Sequence, residues 1–265
     1  MSLIAETRQG AILIWTLDRE ARLNALPDLE DGDEFAAACA RANGDASVKC
    51  VVLTGAGRAF SAGGDLTAMR DRRDLFEGSG ADIRTRYRRV VHQIVRSLYD
   101  LEVPLISAVN GPAMGLGCGI AATADIRIAS ERASFGVPFL KLGIIPGDGG
   151  AWRLPRDVGY ARAAEMLFTG RSIDAETAER WGLVNRVAPH DRLMEEALIT
   201  AGQIAAQPAQ ALRMAKTLMR QGRDQTFEQI LELSAAMQAL AHLTDDHLEG
   251  VDAVLEKRPA EFTGR

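Results

Sequence analysis

The chain has 265 residues, of which 47% are hydrophobic and 25% are charged, a composition typical of a globular protein with a sizeable buried core. Its formal net charge of −5 argues against nucleic acid as a main partner, because binding to phosphates needs clustered Lys and Arg. It has no apolar run of roughly 18 residues and no basic segment followed by an apolar block at its start, so we expect a cytoplasmic protein without a membrane partner. Three scattered cysteines, Cys39, Cys50 and Cys118, favour free thiols in a reducing compartment.

The first hundred residues alternate strand and helix patterns. In order, the apolar spacing predicts a hairpin, a helix, a strand and a long amphipathic helix, over residues 4–19, 28–43, 49–54 and 83–101. A turn at Gln9-Gly10 separates the two arms of the hairpin. Between the last two elements lie a glycine-rich loop, 55–66, and a charged stretch, 70–80, which we predict to be mobile.

The second half begins with further strands and helices and ends in helices alone. Strands are predicted over residues 105–109, 125–129 and 184–187, and helices over 160–168 and 175–181. Four helical patterns follow, over residues 190–206, 208–221, 224–242 and 245–257. Strands that alternate with helices indicate an α/β core, here followed by a helical C-terminal region.

Two glycine-rich loops follow predicted strands. In the first, the glycine pair 63–64 turns the backbone at little steric cost and leaves the Gly64 N–H free to point into a cleft. In the second, the turn at 110–112 opens a helix whose interior glycines cost roughly 1 kcal/mol each relative to Ala, which indicates close backbone approach. The N–H of Leu116 lies in the first turn, where it lacks an intrahelical acceptor and the helix dipole is positive. Two such N–H groups would form an oxyanion hole, although spacing alone does not show that the loops meet.

The segments that contain these loops, GRAFSAGGDL and AVNGPAMGLGCGIA, resemble the crotonase family, also called the enoyl-CoA hydratase/isomerase family. The likeness continues through ADIRIAS, ASFGVP, LGIIPGDGGAWRLPR, AAEMLFTG, SIDAETAERWGLVNRV and the closing EKRPAEF. These motifs stand in the family's order and cover almost the whole chain. Several separated motifs in one order are far more specific than a single glycine pattern.

The resemblance implies a fold and an assembly. It implies an α/β, crotonase-like spiral of ββα units over residues 1–195, which holds the acyl-CoA site. A helical region over residues 196–265 would cover that site or a neighbouring subunit. The family usually assembles as homotrimers or dimers of trimers.

The resemblance also implies which groups are catalytic. It makes the N–H groups of Gly64 and Leu116 the donors that stabilise a thioester enolate. The family's hydratases add two glutamates as general base and acid, but the matching positions here are Gly119 and Phe139, and the glutamate kept by the isomerases matches Phe139 as well. Neither residue can transfer a proton. Asp148 lies in a loop that the family places beside the acyl group and is the leading candidate, while an Asp at this position also suits the cap of the following helix.

Other carboxylates have weaker claims. Asp65 follows the first oxyanion donor, where a hydrogen bond that braces the loop is its expected role. Asp74, Glu77 and Asp82 lie in or near the stretch predicted to be mobile, from which some family members recruit catalytic groups.

Coenzyme A would enter as part of the substrate and not as a separate cofactor. Arg58, Ala62 and Lys257 match the positions with which the family holds the coenzyme A moiety. Arg58 and Lys257 are equally compatible with solvated surface charges.

Other chemistries lack their motifs. The sequence has no Gly-x-Ser-x-Gly, Cys-x-x-Cys or His-Glu-x-x-His motif, and its four histidines are poorly spaced for a metal. The leading hypothesis is an acyl-CoA enzyme of the hydratase/isomerase type. The alternatives are a crotonase-fold acyl-CoA hydrolase, decarboxylase or carbon–carbon lyase, which the missing glutamates favour, and a non-catalytic acyl-CoA-binding or RNA-associated scaffold.

Overall fold

The computed structural model describes residues 2–265, which form a mixed α/β structure. The strands are β1 (Ile4–Gln9), β2 (Ile12–Leu17), β3 (Cys50–Gly55), β4 (Leu105–Val109), β5 (Ala113–Met114), β6 (Ile126–Ser130), β7 (Ser134–Gly136), β8 (Ser172–Asp174) and β9 (Arg186–Ala188). The helices before the C-terminal region are α1 (Asp31–Gly44), α2 (Leu66–Asp71), α3 (Gly80–Arg89), α4 (Val91–Tyr99), α5 (Leu116–Thr123), α6 (Gly150–Val158), α7 (Tyr160–Thr169) and α8 (Ala175–Trp181). The remaining helices are α9 (Leu193–Ala205), α10 (Ala209–Gln221), α11 (Phe227–Ala241) and α12 (Asp245–Glu256).

The strands form one large sheet and one small sheet. The large sheet has the order β1-β2-β3-β4-β6-β9, in which only the β1–β2 hairpin is antiparallel. The small sheet has the order β5-β7-β8, and a bridge between Ser61 and Ala113 extends it. β3 and β4 are buried along their whole length, as expected of central parallel strands that are covered on both faces.

Successive segments of the chain wind in the same way. β3 enters the large sheet, Ser61 bridges to the small sheet, and α2, α3 and α4 return the chain. The same order, a strand in the large sheet, a strand in the small sheet and then a helix, is found again in β4, β5 and α5. It is found once more in β6 and β7, which are followed by α6 and α7. The predicted spiral of ββα units is therefore confirmed.

The core has two parts, one on each side of the large sheet. The larger cluster includes Trp15, Phe35, Phe60 and Phe135, all fully buried. The smaller cluster lies between the other face of the sheet and α9, whose inward side carries small residues that include Ala197 and Ala201. The predicted boundary between residues 195 and 196 falls inside α9. This first helix of the C-terminal region packs on the large sheet.

The long helix predicted over residues 83–101 is wrong, because the structure has two helices that meet at Val90. α3 has no buried residue, whereas α4 packs against α1. Gly32 of α1 permits this packing, since a Cβ there would lie 2.6 Å from the Arg89 carbonyl oxygen.

Candidate active site

The structure brings the two glycine-rich loops together, which spacing alone could not show. The N–H groups of Phe60 and Ser61 both donate to the Pro112 carbonyl at 3.1 Å, and the Met114 N–H donates to the Ser61 carbonyl at 2.9 Å. Glycines make this approach possible. A Cβ on Gly117 would lie 2.6 Å from the Ser61 oxygen, closer than any side chain tolerates.

The N–H groups of Gly64 and Leu116 lie in this junction without a hydrogen-bond acceptor among residues 2–265. Leu116 opens α5, so its N–H has no carbonyl one turn earlier in the helix. A Cβ on Gly63, the residue before Gly64, would lie 3.4 Å from the Leu116 nitrogen, so the two donors come from adjacent backbone. Both groups are available to a ligand oxygen.

Asp148 is a buried carboxylate in the loop before α6, with its side chain only 3% exposed. Its Oδ1 accepts a hydrogen bond from the Gly150 N–H at 3.0 Å, while its Oδ2 is buried without a partner in the described chain. Burial raises the pKa of Asp148 from its ordinary value of 3.8 to about 6, against the opposing effect of the Gly150 hydrogen bond. Such a carboxylate suits proton transfer near neutral pH.

The Gly150 hydrogen bond also bears on the cap predicted for Asp148. The cap residue of α6 is Gly149, one position later than Asp148. The prediction that Asp148 is the N-cap is therefore wrong by one residue, although Asp148 does accept a hydrogen bond from the Gly150 N–H in the first turn. This hydrogen bond occupies only one carboxylate oxygen.

Gly119 and Asp148 are complementary in space. A Cβ on Gly119 would lie 2.6 Å from Asp148 Oδ2, so the carboxylate fills the room that a side chain on α5 would need. Phe139, at the other glutamate position, lies in the 3-10 helix Pro138–Leu142 and is 8% exposed. Its ring lies 3.6 Å from the place of a Cβ on Gly115, beside the start of α5. One carboxylate and one apolar ring therefore flank the N–H pair.

The other predicted carboxylates are bound elsewhere. Asp65 caps α2 by accepting from the N–H groups of Thr67 and Ala68, which confirms its bracing role. Asp82 forms a capping box with Ser79, and Asp74 pairs with its neighbour Arg73 at 3.0 Å. Asp74, Glu77 and Asp82 are all exposed, and none lines the cavity that holds Asp148.

The three residues predicted to hold coenzyme A are only partly assembled. Arg58 is exposed and lines a shallow depression with residues 20–23. Ala62 lies nearby, but its N–H already donates to the Leu23 carbonyl at 2.9 Å. Lys257 is the left-handed C-cap of α12 and does not line this depression within the chain. The structure thus groups Arg58 and Ala62, and places Lys257 on the C-terminal helices.

A cavity of about 540 Å³, which was not predicted from the sequence, lies beside Asp148 and Gly119. Its walls come from α4, α5 and α6 and include Val95, Tyr99 and Trp152. Val95 and Tyr99 are four residues apart, a spacing that puts both on one side of α4 and could have signalled a shared wall.

Tyr87 and His92, which were not predicted to take part in the site, contact the loop that carries Asp148. His92 Nε2 lies 3.0 Å from the Gly147 carbonyl oxygen, and the Tyr87 hydroxyl lies 3.0 Å from the place of a Cβ on Gly147. The two rings pack edge to face at 5.7 Å. Burial and the nearby Asp148 charge raise the pKa of Tyr87 to about 12, so this phenol stays protonated.

Residues 2–265 offer neither a metal cluster nor a membrane span. No group of three or more potential ligands is placed to hold a metal ion in this part of the chain. Likewise, none of its helices is both long enough and apolar enough to cross a membrane.

The chain is similar to known proteins over its whole length. A family model described as enoyl-CoA hydratase/isomerase matches residues 7–265. The 1,2-epoxyphenylacetyl-CoA isomerase of Escherichia coli (strain K12) is 37% identical over 265 residues, and the 2,3-dehydroadipyl-CoA hydratase of the same organism is 37% identical over 268 residues; each alignment covers 100% of both chains. The crystal structure of an enoyl-CoA hydratase from Bacillus anthracis matches with a TM-score of 0.92 and 33% identity, covering 99% of this chain and 100% of that one.

Proposed function

The chain belongs to the enoyl-CoA hydratase/isomerase family, and on that premise we propose that it acts on acyl-CoA through a thioester enolate, with Asp148 as the group that transfers the proton. The observation that carries this proposal is the buried, unpaired Oδ2 of Asp148 in the space beside Gly119. The proposed chemistry needs no metal and no cofactor beyond the coenzyme A of the substrate.

The N–H groups of Gly64 and Leu116 would hold the thioester oxygen. Their lack of acceptors and their adjacency support this role. Hydrogen bonds from fixed donors strengthen as negative charge moves onto the oxygen, and so they make the α-hydrogen more acidic. In known oxyanion holes, one such donor contributes about 10²- to 10³-fold to kcat.

A single carboxylate favours isomerisation of a carbon–carbon double bond. The Asp148 carboxylate would take a proton from the α-carbon of a 3-enoyl thioester, which gives a dienolate whose charge rests on the thioester oxygen. The Asp148 carboxylic acid would then return the proton to the γ-carbon, so that the double bond moves into conjugation. This sequence needs one group that accepts and donates a proton, and Phe139 leaves the chain with one at this place.

Product analysis tests the assignment. Purified protein is incubated with 3-hexenoyl-CoA, and the conjugated 2-enoyl product is followed by its ultraviolet absorbance and by mass spectrometry. We expect turnover by the unaltered protein and a loss of about 10²- to 10⁴-fold in kcat for Asp148→Asn. Asp174→Asn, which alters an exposed capping carboxylate on α8 that does not line the cavity, is the matched control and should retain turnover.

Other products would redirect the assignment. Hydration of crotonyl-CoA without isomerisation would identify a hydratase, and release of free coenzyme A would identify a hydrolase. Loss of carbon dioxide or cleavage of a carbon–carbon bond would identify the remaining alternatives. Any of these outcomes would overturn the isomerase proposal. Hydration and decarboxylation would keep the enolate intermediate, whereas hydrolysis would replace it with a tetrahedral intermediate whose oxyanion the same N–H pair would hold.

Arg58 would meet the phosphates of the substrate's coenzyme A at the depression beside residues 20–23. Its exposure and its lack of an ion pair within the described chain support this role. Lys257 would contribute only from a neighbouring protomer, because its own chain does not bring it there. Arg58→Glu should raise KM for acyl-CoA with little change in kcat.

A homotrimer or a dimer of trimers is proposed as the assembly. The C-terminal helices support it, because Leu243, Val254 and Leu255 are 84%, 78% and 75% exposed in the single chain. Light scattering on the purified protein should give a mass three or six times that of one chain. Leu243→Glu combined with Val254→Glu should lower that mass, and a monomer already in the unaltered protein would contradict the proposal.

A further inference from the structure

The cavity beside Asp148 has an apolar interior and a charged rim. Val95, Val137 and Leu154 supply aliphatic walls, and the latter two are 1% and 2% exposed. The charged side chains of Arg96 and Asp224 lie at the exposed edge. A ligand in this cavity therefore contacts mainly apolar surface.

One wall of this cavity is an aromatic pair. The rings of Tyr99 and Trp152 pack edge to face with their centroids 5.9 Å apart. Arginines hold the pair from other sides: Arg156 stacks on Trp152 at 4.1 Å, and Arg220 stacks on Tyr99 at 5.5 Å. The wall is thus fixed before any ligand arrives.

From this geometry we infer that the cavity binds an acyl group that carries an aromatic ring on its α- or β-carbon. This inference rests on the proposed function, because it assigns the substrate class of the same site. A third ring beside Tyr99 and Trp152 gains edge-to-face contacts in addition to apolar burial. Asp148 and Gly119 line the same cavity as Tyr99 and Trp152, so a ring attached one or two bonds from the reacting carbons would lie among these residues.

The size of the cavity and the entropy of binding favour a ring over a straight chain. The missing side chain of Gly119 and the short side chain of Val95 leave about 540 Å³, far more than a crotonyl group fills. A rigid ring fills a broad space at little entropic cost, whereas a flexible chain must give up the freedom of several bonds.

Binding measurements test the inference without reliance on turnover. Dissociation constants are measured by calorimetry for acetyl-CoA, for phenylacetyl-CoA and for octanoyl-CoA, whose acyl group has as many carbon atoms as phenylacetyl. We expect phenylacetyl-CoA to bind about 10- to 100-fold more tightly than acetyl-CoA, from burial of one ring. It should also bind about tenfold more tightly than octanoyl-CoA, from the lower entropic cost.

Two variants locate the effect in the cavity. Val95→Trp fills the space and should weaken phenylacetyl-CoA at least about tenfold, while the affinity for acetyl-CoA changes by less than about twofold. Trp152→Ala removes half of the aromatic wall, and its matched control is Trp181→Ala, which removes a tryptophan that does not line the cavity. Trp152→Ala should weaken phenylacetyl-CoA and Trp181→Ala should not.

Several results would overturn the inference. Octanoyl-CoA that binds as tightly as phenylacetyl-CoA would show a straight-chain pocket, and equal affinity for all three ligands would show that the acyl group lies elsewhere. The same conclusion follows if neither Val95→Trp nor Trp152→Ala changes the preference. These failures are distinct from failure of the proposed function, which is judged by turnover and by Asp148→Asn.

Discussion

Asp148→Asn should make the protein more stable while it lowers kcat by about 10²- to 10⁴-fold. Burial raises the pKa of this carboxyl from 3.8 to about 6, so the charged form is disfavoured in the folded state. That difference, at about 1.4 kcal/mol per pH unit, corresponds to about 3 kcal/mol. Asparagine removes the charge and keeps an oxygen that can accept the Gly150 hydrogen bond.

The sign of the pH dependence follows from the raised pKa of Asp148. Below pH 3.8 the Asp148 carboxyl is protonated in both the folded and the unfolded state, so it does not lower the free energy of unfolding. As the pH rises from 3.8 to about 6, the unfolded chain loses this proton more readily than the folded one, so the stability of the unaltered protein falls. The advantage of Asp148→Asn should therefore grow across this window and reach about 3 kcal/mol above it.

Urea unfolding at a series of pH values measures this advantage. Asp65→Asn is the control, because hydrogen bonds from Ala68 and Thr67 lower the pKa of Asp65 and its loss should destabilise at neutral pH. A difference between Asp148→Asn and the unaltered protein that stays constant with pH would refute the reasoning. So would a loss of stability at pH 8.

The remaining predictions concern the same junction. The kcat/KM of the unaltered protein should rise with pH and level off above about 6, as Asp148 becomes ionised; a flat profile in stopped assays would exclude Asp148 as the base. Gly119→Ala, whose new Cβ would lie 2.6 Å from Asp148 Oδ2, should cost about 1 to 3 kcal/mol of stability and displace the carboxylate, measured by urea unfolding and by turnover. The double variant Gly119→Glu with Asp148→Ala should turn over substrate at least about tenfold faster than Asp148→Ala alone, because the glutamate returns a carboxylate to the space that Asp148 leaves. Equal turnover by the two variants would contradict the idea that a carboxylate from either position can do this work. Gly63→Ala should destabilise by more than about 2 kcal/mol and impair turnover, because φ is +76° and a Cβ would lie 2.3 Å from the Met114 oxygen.

The sequence predicted most of the fold because its local signals agree with the final packing. The predicted turn at Gln9-Gly10 matches the structure to within one residue, since Gln9 pairs with Ile12 and the hairpin turns at Gly10 and Ala11. The long helix over 83–101 was wrong because apolar spacing continues across Val90, while the cause of the break, the close approach of Gly32 on α1, is a tertiary contact. Such contacts are not encoded in any single segment.

The candidate site was predictable in its parts and not in its arrangement. The resemblance drew attention to Gly64, Leu116 and Asp148, but only the folded chain places a carboxylate where Gly119 lacks a side chain. The aromatic wall escaped notice because Tyr99 and Trp152 lie on different helices more than fifty residues apart. Their meeting depends on how α4 and α6 pack.

Hydrogen exchange at the α-carbon is the most direct test of the central claim, that the protein stabilises a thioester enolate. Phenylacetyl-CoA, which has no carbon–carbon double bond to isomerise in its acyl chain, is incubated in D₂O with the protein, and deuterium uptake at the α-carbon is followed by mass spectrometry. The account predicts exchange by the unaltered protein, at a rate that falls about 10²- to 10⁴-fold in Asp148→Asn. Bound phenylacetyl-CoA that keeps its α-hydrogens would contradict the enolate, and equal exchange in the two proteins would contradict Asp148 as the base.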